Sequence, residues 1–358
     1  MLLHPIGRVL CNVQEVITRE ELENLLSRGG RGYIGFEPSG LVHIGWVIWA
    51  RKLQDLIDAG IEMTVLAATW HAWINDKLGG DLKLIKDAAR YVRHFLEGAG
   101  VRVSKINFVD AEELVSDHNY WKLVLRVAKN LSLARVRRAT TIMGRRESEA
   151  VLDFSKLIYP CMQVADIFYL GVDLALGGMD QRKAHVLARE VAPKLGYKKP
   201  VAIHTPLLIG LQGTKGKEQE DLVGAKMSKS KPDTCIFVHD PPEIIKKKII
   251  RAYCPPRQVE MNPILEINRL LLFSKEEFEL YIDRPERYGG PLEVKSFQEL
   301  ANLYKEGKLH PLDLKLATAE ALSKELEPIR RHFSSSAEAR ELAKRIAKAM
   351  GLEEALGS

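Results

Sequence analysis

Residues 33–46 carry the sequence YIGFEPSGLVHIGW, which joins the end of a predicted strand to the start of a predicted helix. The apolar residues up to Phe36 predict a short buried strand, and the turn-forming triplet Pro38-Ser39-Gly40 ends it. A loop between a strand and a helix offers backbone N–H groups to phosphate, and His43 adds an imidazole. The stretch therefore predicts an α/β fold with a phosphate-binding site that includes His43 and Gly45.

A second motif, KMSKS at residues 226–230, lies far downstream of the first. Lys226 and Lys229 place two ammonium groups on a predicted loop, where they can close over a triphosphate. The two motifs in this order resemble the signature of class I aminoacyl-tRNA synthetases, which activate a carboxylate with ATP. Such a reaction needs positioned donors and no protein nucleophile, because the carboxylate oxygen itself attacks the α-phosphate.

Apolar strands alternate with amphipathic helices around the first motif, a pattern typical of a parallel sheet. A helical insertion at about 117–150 interrupts this alternation, and a second series with strands at 172–176 and 201–203 follows. Beyond Pro241-Pro242 only helices are predicted. We therefore predict a Rossmann-like, doubly wound parallel sheet in a domain at 1–240, followed by an all-α domain at 241–358.

The composition is ordinary for a globular protein with a sizeable core, with 46% hydrophobic and 28% charged residues. No apolar run approaches the length of a membrane-spanning helix, and the N-terminus lacks a signal-peptide pattern. The four cysteines are scattered without a CxxC spacing, which is typical of reduced thiols. We expect a cytoplasmic protein with no membrane partner and no metal held by protein side chains.

Further stretches narrow the resemblance to one family. They are YIGFEPSG at 33–40, YPCMQVAD at 159–166, GGMDQR at 177–182, AYCP at 252–255 and LHPLDLK at 309–315. With KMSKS, they resemble the tyrosyl-tRNA synthetases of the compact archaeal and eukaryotic type over nearly the whole chain. The first signature is often written HIGH, whereas its last position here is Trp46. This change removes one possible phosphate contact and leaves His43 and Gly45.

The resemblance implies a tyrosine site in which Tyr33 and Asp166 bind the phenol hydroxyl. Tyr159, Gln163 and Gln181 are implied to bind the substrate ammonium. The spacing of Tyr159, Gln163 and Asp166 places them on one face of a helix. A site that hydrogen-bonds a hydroxyl rejects the analogue without it, because its polar groups are then left unpaired; tyrosyl enzymes are the standard example of this rule.

The resemblance also implies an ATP site, with catalysis assigned to His43, Gly45, Lys226 and Lys229. The implied ATP-binding residues are Gly35, Glu37, His43, Gly178, Asp180, Met227, Ser228 and Lys229, with Gly178 and Asp180 against the ribose. Mg²⁺ is expected to enter bound to the ATP phosphates, because no acidic cluster of suitable spacing occurs.

The net charge of +6 is compatible with a polyanionic partner without requiring one. The resemblance implies that the partner is tRNA(Tyr), with Arg138 at the acceptor stem and His310 and Asp313 at the anticodon. Arg138 belongs to a group of arginines that are close together in the sequence: Arg135, Arg137, Arg138, Arg145 and Arg146. The family also forms a homodimer through the insertion. Its candidate interface residues, for which core packing is an equal alternative, are Trp121, Leu123, Leu125 and Val127.

Structural alternatives exist for several of these residues. His43 and His71 occur where helix caps are common, Tyr33 lies in a predicted core strand, and Asp313 could be the N-cap of the helix that follows. Alternatives also exist for the function. A tryptophanyl-tRNA synthetase shares the fold, but Asp166 favours tyrosine. A non-enzymatic RNA-binding relative would be expected to lose the KMSKS lysines. A nucleotidyltransferase acting on a metabolite would have little use for the helical C-terminal domain.

Overall fold

The computed structural model describes residues 5–144, 153–214, 225–275 and 277–356. The chain forms two compact units. Unit 1 comprises Met1–Gly40 and Trp49–Pro206, and unit 2 comprises Leu41–Ile48 and Leu207–Ser358. His43, Gly45 and KMSKS therefore belong to the same unit, although they are far apart in the sequence. The domain ranges 1–240 and 241–358 stay a prediction.

Unit 1 is built on a six-stranded, mostly parallel sheet. Its strands are β1 (Glu15–Ile17), β2 (Gly30–Phe36), β3 (Ile61–Ala67), β4 (Ile106–Asp110), β5 (Leu174–Gly178) and β6 (Val201–Thr205). Their order is β1-β6-β5-β2-β3-β4, and β1 pairs antiparallel with β6. The strands β2 and β5 are parallel neighbours, but the strand order runs in one direction from β2 to β4 and in the opposite direction from β5 to β6. The position between β2 and β5 is therefore a switch point, the place at which doubly wound sheets bind ligands. The predicted doubly wound sheet is confirmed, with an added antiparallel edge strand that the sequence pattern did not indicate.

Ten helices alternate with these strands within the described residues. They are α1 (Pro5–Leu10), α2 (Arg19–Arg28), α3 (Gly45–Asp58), α4 (Thr69–Ile74), α5 (Leu82–Gly98), α6 (Ala111–Val115), α7 (His118–Lys129), α8 (Leu133–Ala139), α9 (Phe154–Tyr169) and α10 (Arg182–Leu195). Helices α7 and α8 form the predicted insertion between the two halves of the sheet. Asp117 and Ser132 cap their N-termini by accepting backbone N–H hydrogen bonds. Positions 145–150 of the predicted insertion lie outside the described residues.

Local signals in the sequence define several element boundaries. Thr18 and Glu21 form a capping box at the start of α2, with each side chain accepting from the other residue's backbone N–H. Gly60 follows α3 with a φ of +86°, a conformation that glycine adopts without strain. A 3₁₀ turn at Val103–Lys105 directly precedes β4, which starts at Ile106.

The C-terminal part of unit 2 is helical, as predicted. Its helices are α11 (Pro242–Arg251), α12 (Pro263–Ile267), which continues as a π-helical turn at Asn268–Leu272, α13 (Phe297–Lys305), α14 (Pro311–Ser335) and α15 (Ala337–Met350). The prediction that no strand follows residue 240 was wrong, because β7 (Leu280–Ile282) and β8 (Leu292–Val294) form an antiparallel hairpin. Strands of three residues are too short to show a clear alternating pattern. Across the described stretches, no helix has both the length and the apolar character needed to cross a membrane.

Candidate active site

Helix α9 carries three buried polar residues in unit 1. Tyr159, Gln163 and Asp166 are 5%, 8% and 1% exposed, and Tyr33 of β2 is 2% exposed. Burial and the charge of Asp166 raise the pKa of Tyr33, and the nearby side chain of Gln163 opposes this shift with a smaller effect. Burial and the Glu37 carboxylate raise the pKa of Tyr159, to which Tyr33 and Asp166 add smaller effects. The fold thus brings the predicted tyrosine-binding residues of β2 and α9 together.

Two residues that the sequence did not assign to the phenol site contact the carboxylate of Asp166. Tyr120, from the insertion helix α7, donates to Asp166 Oδ1 at 2.7 Å. His71 Nε2 lies 3.1 Å from Asp166 Oδ2, but the angle between the two groups does not meet that of a hydrogen bond. His71 lies inside α4, and the N-cap of that helix is Ala68, so His71 is not the N-cap that was considered as an alternative.

Gln163 and Gln181 form a hydrogen-bonded pair beside these residues. Gln163 Nε2 donates to Gln181 Oε1 at 3.0 Å, and Gln181 Nε2 donates to the carbonyl of Ile142 at 3.2 Å. Gln163 Oε1 is buried and has no hydrogen-bond partner among the residues that the structure describes. A buried amide oxygen in this state is an acceptor for which a ligand can supply a donor, such as an ammonium group.

Glu37, predicted to bind ATP, lies beside Tyr159 at the end of β2. Its Oε1 accepts from the Tyr159 hydroxyl at 2.7 Å and from Asn75 Nδ2 at 2.9 Å. Lys77 Nζ lies 3.5 Å from Glu37 Oε2. Glu37 therefore links the tyrosine-binding residues to the loop that follows β2, and it is held by a polar network that the sequence motifs did not indicate.

Two glycines make room for neighbouring side chains: Gly35 of the predicted ATP site, and Gly177, which precedes the predicted ribose-binding Gly178. A Cβ at Gly35 would lie 3.1 Å from the Tyr33 hydroxyl. A Cβ at Gly177 would lie 3.0 Å from both Gln181 Cβ and His185 Cε1. Gly178 ends β5, and Asp180 lies in the 3₁₀ turn that follows. The predicted ribose-binding residues Gly178 and Asp180 thus flank a tightly packed turn.

A buried histidine pair supports this turn. His185 Nδ1 lies 3.0 Å from His204 Nε2, and His204 Nδ1 lies 2.8 Å from Glu15 Oε2. Arg182 donates to the same Glu15 carboxylate at 2.8 Å. Burial and the neighbouring His204 lower the pKa of His185 to about 3, and burial lowers the pKa of His204.

The low pKa of His185 predicts a pH dependence of folding. Between about pH 3 and pH 6.5 the unfolded chain protonates this residue and the folded chain does not, so the free energy of unfolding rises with pH. When the pH is lowered from 7 to 5, His185 alone should therefore lower the free energy of unfolding by about 1 kcal/mol for each pH unit below 6.5. Urea unfolding at several pH values measures this slope. His185→Gln should reduce it, whereas the same change at exposed His118 should not; equal slopes in all three proteins would contradict the prediction.

Backbone hydrogen bonds join the two phosphate motifs within unit 2. Ile44 N donates to the Ile236 carbonyl at 3.0 Å, and Val238 N donates to the Val42 carbonyl at 3.0 Å. His43 and Phe237 form the isolated antiparallel bridge between these bonds. The segment that follows KMSKS therefore pairs directly with the segment that carries His43.

His43 has a defined tautomer in this arrangement. Its Nδ1 accepts from the backbone N–H of Gly45 at 3.1 Å, so the ring proton belongs on Nε2. Burial, followed by the charges of Lys229 and Lys226, lowers the pKa of His43 to about 3. A Cβ at Gly45 would lie 2.9 Å from His43 Cε1, so glycine is needed for this close approach. His43 is thus a neutral imidazole with its proton on Nε2, and its Nδ1 accepts from the first backbone N–H of α3, as a helix-capping side chain does.

The KMSKS residues pack against the strand-like segment that precedes them. Met227 N donates to the Leu208 carbonyl at 2.7 Å, and Met227 is 3% exposed. The hydroxyls of Ser228 and Ser230 lie 2.9 Å apart. Lys229 Nζ lies 4.6 Å from the centre of the Trp46 ring. The buried methionine anchors the motif, and the two lysines extend from partly exposed positions on either side.

The predicted tRNA-binding residues lie at helix ends. Arg138 is exposed near the end of α8, while Arg145 and Arg146 of its basic cluster lie outside the described residues. His310, not Asp313, is the N-cap of α14, where its Nδ1 accepts from Leu312 N at 3.1 Å. The alternative that Asp313 caps this helix was therefore wrong, because the helix begins at Pro311, two residues before Asp313. Asp313 lies in its first turn and is half-buried.

Comparisons with known proteins bear on the identity of this site. The family model described as tRNA synthetases class I (W and Y) matches residues 28–327. A protein named tyrosine--tRNA ligase from Aeropyrum pernix is 59% identical over 332 residues, which cover 90% of this chain and 91% of the relative. The chain belongs to the tyrosyl-tRNA synthetase family. A relative of the same name from Sulfurisphaera tokodaii is 58% identical over 333 residues, covering 91% of this chain and 92% of its own.

Solved structures of the family have the same fold. The crystal structure of tyrosyl-tRNA synthetase from Aeropyrum pernix matches with a TM-score of 0.86 and 52% identity, covering 96% of this chain and 98% of that one. The Pyrococcus horikoshii enzyme, solved in complex with L-tyrosine, matches with a TM-score of 0.88 and 44% identity, covering 96% and 100%. A tryptophanyl-tRNA synthetase from Aeropyrum pernix matches at 19% identity and a TM-score of 0.67, which shows a shared fold alone.

Sequence reasoning for this family missed Tyr120. This residue lies 46 positions before its partner Asp166 and belongs to the insertion, so no local spacing links the two. The available signal was its helical position between the cap Asp117 and the buried Val124, which places Tyr120 on the inner face of α7. Its pairing with a buried carboxylate could not be inferred from that position.

Tyr120→Phe should weaken tyrosine binding. The hydroxyl of Tyr120 donates to a buried carboxylate, and hydrogen bonds to charged groups contribute about 1.5–3 kcal/mol. We expect the KM for tyrosine in pyrophosphate exchange to rise about tenfold or more, with a smaller change in the KM for ATP. Tyr169→Phe is a matched control, because the hydroxyl of Tyr169 donates to Asp117, the N-cap of α7, and not to Asp166. An unchanged KM for tyrosine in Tyr120→Phe would contradict this role.

Proposed function

We propose that this chain activates L-tyrosine with ATP and transfers the tyrosyl group to the 3′-terminal adenosine of tRNA(Tyr). A carboxylate oxygen of tyrosine attacks the α-phosphorus, the bond to the β-phosphate oxygen breaks, and pyrophosphate leaves. A ribose hydroxyl of the terminal adenosine then attacks the tyrosyl carbonyl, and AMP leaves. The observation that carries the proposal is the buried carboxylate of Asp166, which lies close enough to Tyr33 to raise its pKa, together with the buried Gln163 Oε1, which has no hydrogen-bond partner among the described residues.

The tyrosine pocket supports specific roles for its residues. Tyr33 and Asp166 bind the phenol hydroxyl, since a buried carboxylate is a strong acceptor for a hydroxyl donor. Tyr159, Gln163 and Gln181 bind the ammonium, for which Gln163 Oε1 is the acceptor. Phenylalanine in the same pocket would leave the carboxylate without one of its donors, and this penalty opposes its binding.

The phosphate motifs support the roles assigned to them in adenylation. His43 donates from Nε2–H to a phosphate oxygen, and Lys226 and Lys229 follow the charge that moves to the leaving pyrophosphate. Gly45 allows the close approach of His43, and Met227 and Ser228 hold the motif against ATP. Mg²⁺ enters with ATP, bound through its phosphates as part of the substrate.

Four further residues are assigned to ATP. Gly35 and Glu37 lie at the carboxyl end of β2 and just after it, and Gly178 and Asp180 lie at the end of β5 and in the turn that follows. Gly178 allows backbone to approach the ribose, and the carboxylate of Asp180 accepts from a ribose hydroxyl. These positions suit a nucleoside because carboxyl ends of strands beside a switch point are the usual place for one.

The tRNA contacts and the dimer complete the proposal. Arg138 is assigned to the acceptor stem, and His310 and Asp313 to the anticodon, where an imidazole can stack and a carboxylate can accept from guanine. A homodimer through α7 is supported by Trp121 and Leu125, which are 38% and 65% exposed. Leu123 and Val127 belong instead to the hydrophobic core of unit 1. The domain ranges 1–240 and 241–358 correspond to the catalytic and the anticodon-binding roles.

Amino-acid-dependent exchange of labelled pyrophosphate into ATP tests the first step. With all twenty amino acids, exchange is expected with tyrosine alone. Exchange with tryptophan would assign the chain to the related family that shares its fold. No exchange with any amino acid would favour an RNA-binding relative without the activity.

Charging of a tRNA(Tyr) transcript tests the second step. Arg138→Ala should reduce charging about tenfold, because one lost charge-assisted phosphate or base contact contributes about 1–3 kcal/mol, and it should leave pyrophosphate exchange unchanged. Arg137→Ala is the matched control, since this neighbour is also exposed and basic. Equal charging by both variants would remove Arg138 from the tRNA interface.

A further inference from the structure

Trp46 and Lys229 form a contact that joins the two phosphate motifs through their side chains. The ammonium nitrogen of Lys229 lies 4.6 Å from the centre of the Trp46 ring, a distance typical of a cation–π interaction. Trp46 lies in the first turn of α3, next to Gly45, and both side chains of the pair are half-buried. The contact is therefore shielded from water in part, which strengthens such interactions.

We propose that Trp46 is a positioning residue, which holds the Lys229 ammonium beside His43 before ATP arrives. The proposal rests on the phosphate-binding role of Lys229 given above. The KMSKS lysine has a long and flexible side chain, so ordering it is a cost for any step that uses it. An indole ring that already holds the ammonium reduces the part of this cost that falls in the transition state for adenylation.

The charges at this position explain why an aromatic ring suits it. His43, Lys226 and Lys229 lie close enough for the two lysines to lower the pKa of the imidazole. A second histidine at position 46 would add another group that can become positive beside them. The indole ring does not become positively charged, and the negative face of its π-system attracts the ammonium. Trp46 thus replaces a phosphate donor of the usual signature with a group that orients a different donor.

A double-mutant cycle on pyrophosphate exchange tests the proposal. Trp46→Leu should lower kcat about five- to thirtyfold, which corresponds to a cation–π contact of about 1–2 kcal/mol, and it should change the KM for ATP less than threefold. Trp46→Phe, which keeps an aromatic face, should fall between wild type and Trp46→Leu. In a Lys229→Ala background, Trp46→Leu should have almost no further effect on kcat.

Controls separate this inference from the proposed function. Lys231→Ala changes a neighbouring exposed lysine and should leave kcat unchanged. If Lys229→Ala does not lower kcat, the proposed role of Lys229 fails. If Lys229→Ala lowers kcat but Trp46→Leu lowers it again by the same factor in that background, the positioning role alone fails. Thermal unfolding of each variant identifies a general loss of folding, and Trp46→Phe keeps the test available if Trp46→Leu does not fold.

Discussion

His43→Ala should lower the kcat of pyrophosphate exchange by about 10²–10³, the usual effect of removing one donor to developing charge in a transition state. His43 is a neutral imidazole whose Nδ1 is occupied by the Gly45 N–H, so Nε2–H is the atom that can donate to phosphate. Its pKa of about 3 keeps it in this form throughout the neutral range. The KM for ATP should change much less, because the interaction strengthens as charge develops.

His43→Asn is the matched variant for this experiment. Its amide can still accept from Gly45 N–H or donate to a phosphate, so it should recover part of the activity lost in His43→Ala. Circular dichroism and thermal unfolding check that both variants fold normally. A kcat within threefold of wild type for His43→Ala would remove this residue from the catalytic groups.

Asp166→Asn should have the second large effect, on the choice of amino acid. The substitution keeps the size of the side chain and removes the charge that accepts from a phenol. We expect the KM for tyrosine in exchange to rise about ten- to a hundredfold, because hydrogen bonds to a charged group contribute about 1.5–3 kcal/mol. Weak exchange with phenylalanine should change little, so the ratio of the kcat/KM for tyrosine to the kcat/KM for phenylalanine should fall.

The partners of Asp166 supply the control for this prediction. Tyr120→Phe removes a hydrogen bond to the same carboxylate, so its effect should be largely lost in an Asp166→Asn background. His71→Asn tests the other neighbour of the carboxylate, whose ring nitrogens have no hydrogen-bond partner in the described part of the chain. An unchanged ratio of tyrosine to phenylalanine in Asp166→Asn would show that the phenol is recognised elsewhere.

Most of the fold could be predicted from the sequence because its signals are local. The apolar strand up to Phe36, the helix start after His43 and the capping box at Thr18 depend on neighbours along the chain. The face shared by Tyr159, Gln163 and Asp166 follows from helical periodicity alone. Prediction failed where elements were short, as in the β7–β8 hairpin, and at the start of α14, where His310 replaced Asp313 as the cap.

The pairing of groups within the site could not be predicted, because each pair joins residues that are distant in the sequence. Tyr120 reaches Asp166 through the packing of α7 against α9. Lys229 meets the Trp46 ring because backbone hydrogen bonds join the segments that follow KMSKS and precede α3. Glu37 accepts hydrogen bonds from Tyr159, which lies in α9, and from Asn75, which ends α4.

The sequence by itself determined which residue types are available for the chemistry and the order of strands and helices that carries them. Only the tertiary structure decided the state of those residues: a neutral His43 with its proton on Nε2, an Asp166 that already accepts from Tyr120, and a Lys229 held on an indole ring. The physical reason is that secondary structure responds to neighbours within a few residues. Protonation and orientation respond to every charge, ring and dipole that folding brings within a few ångströms.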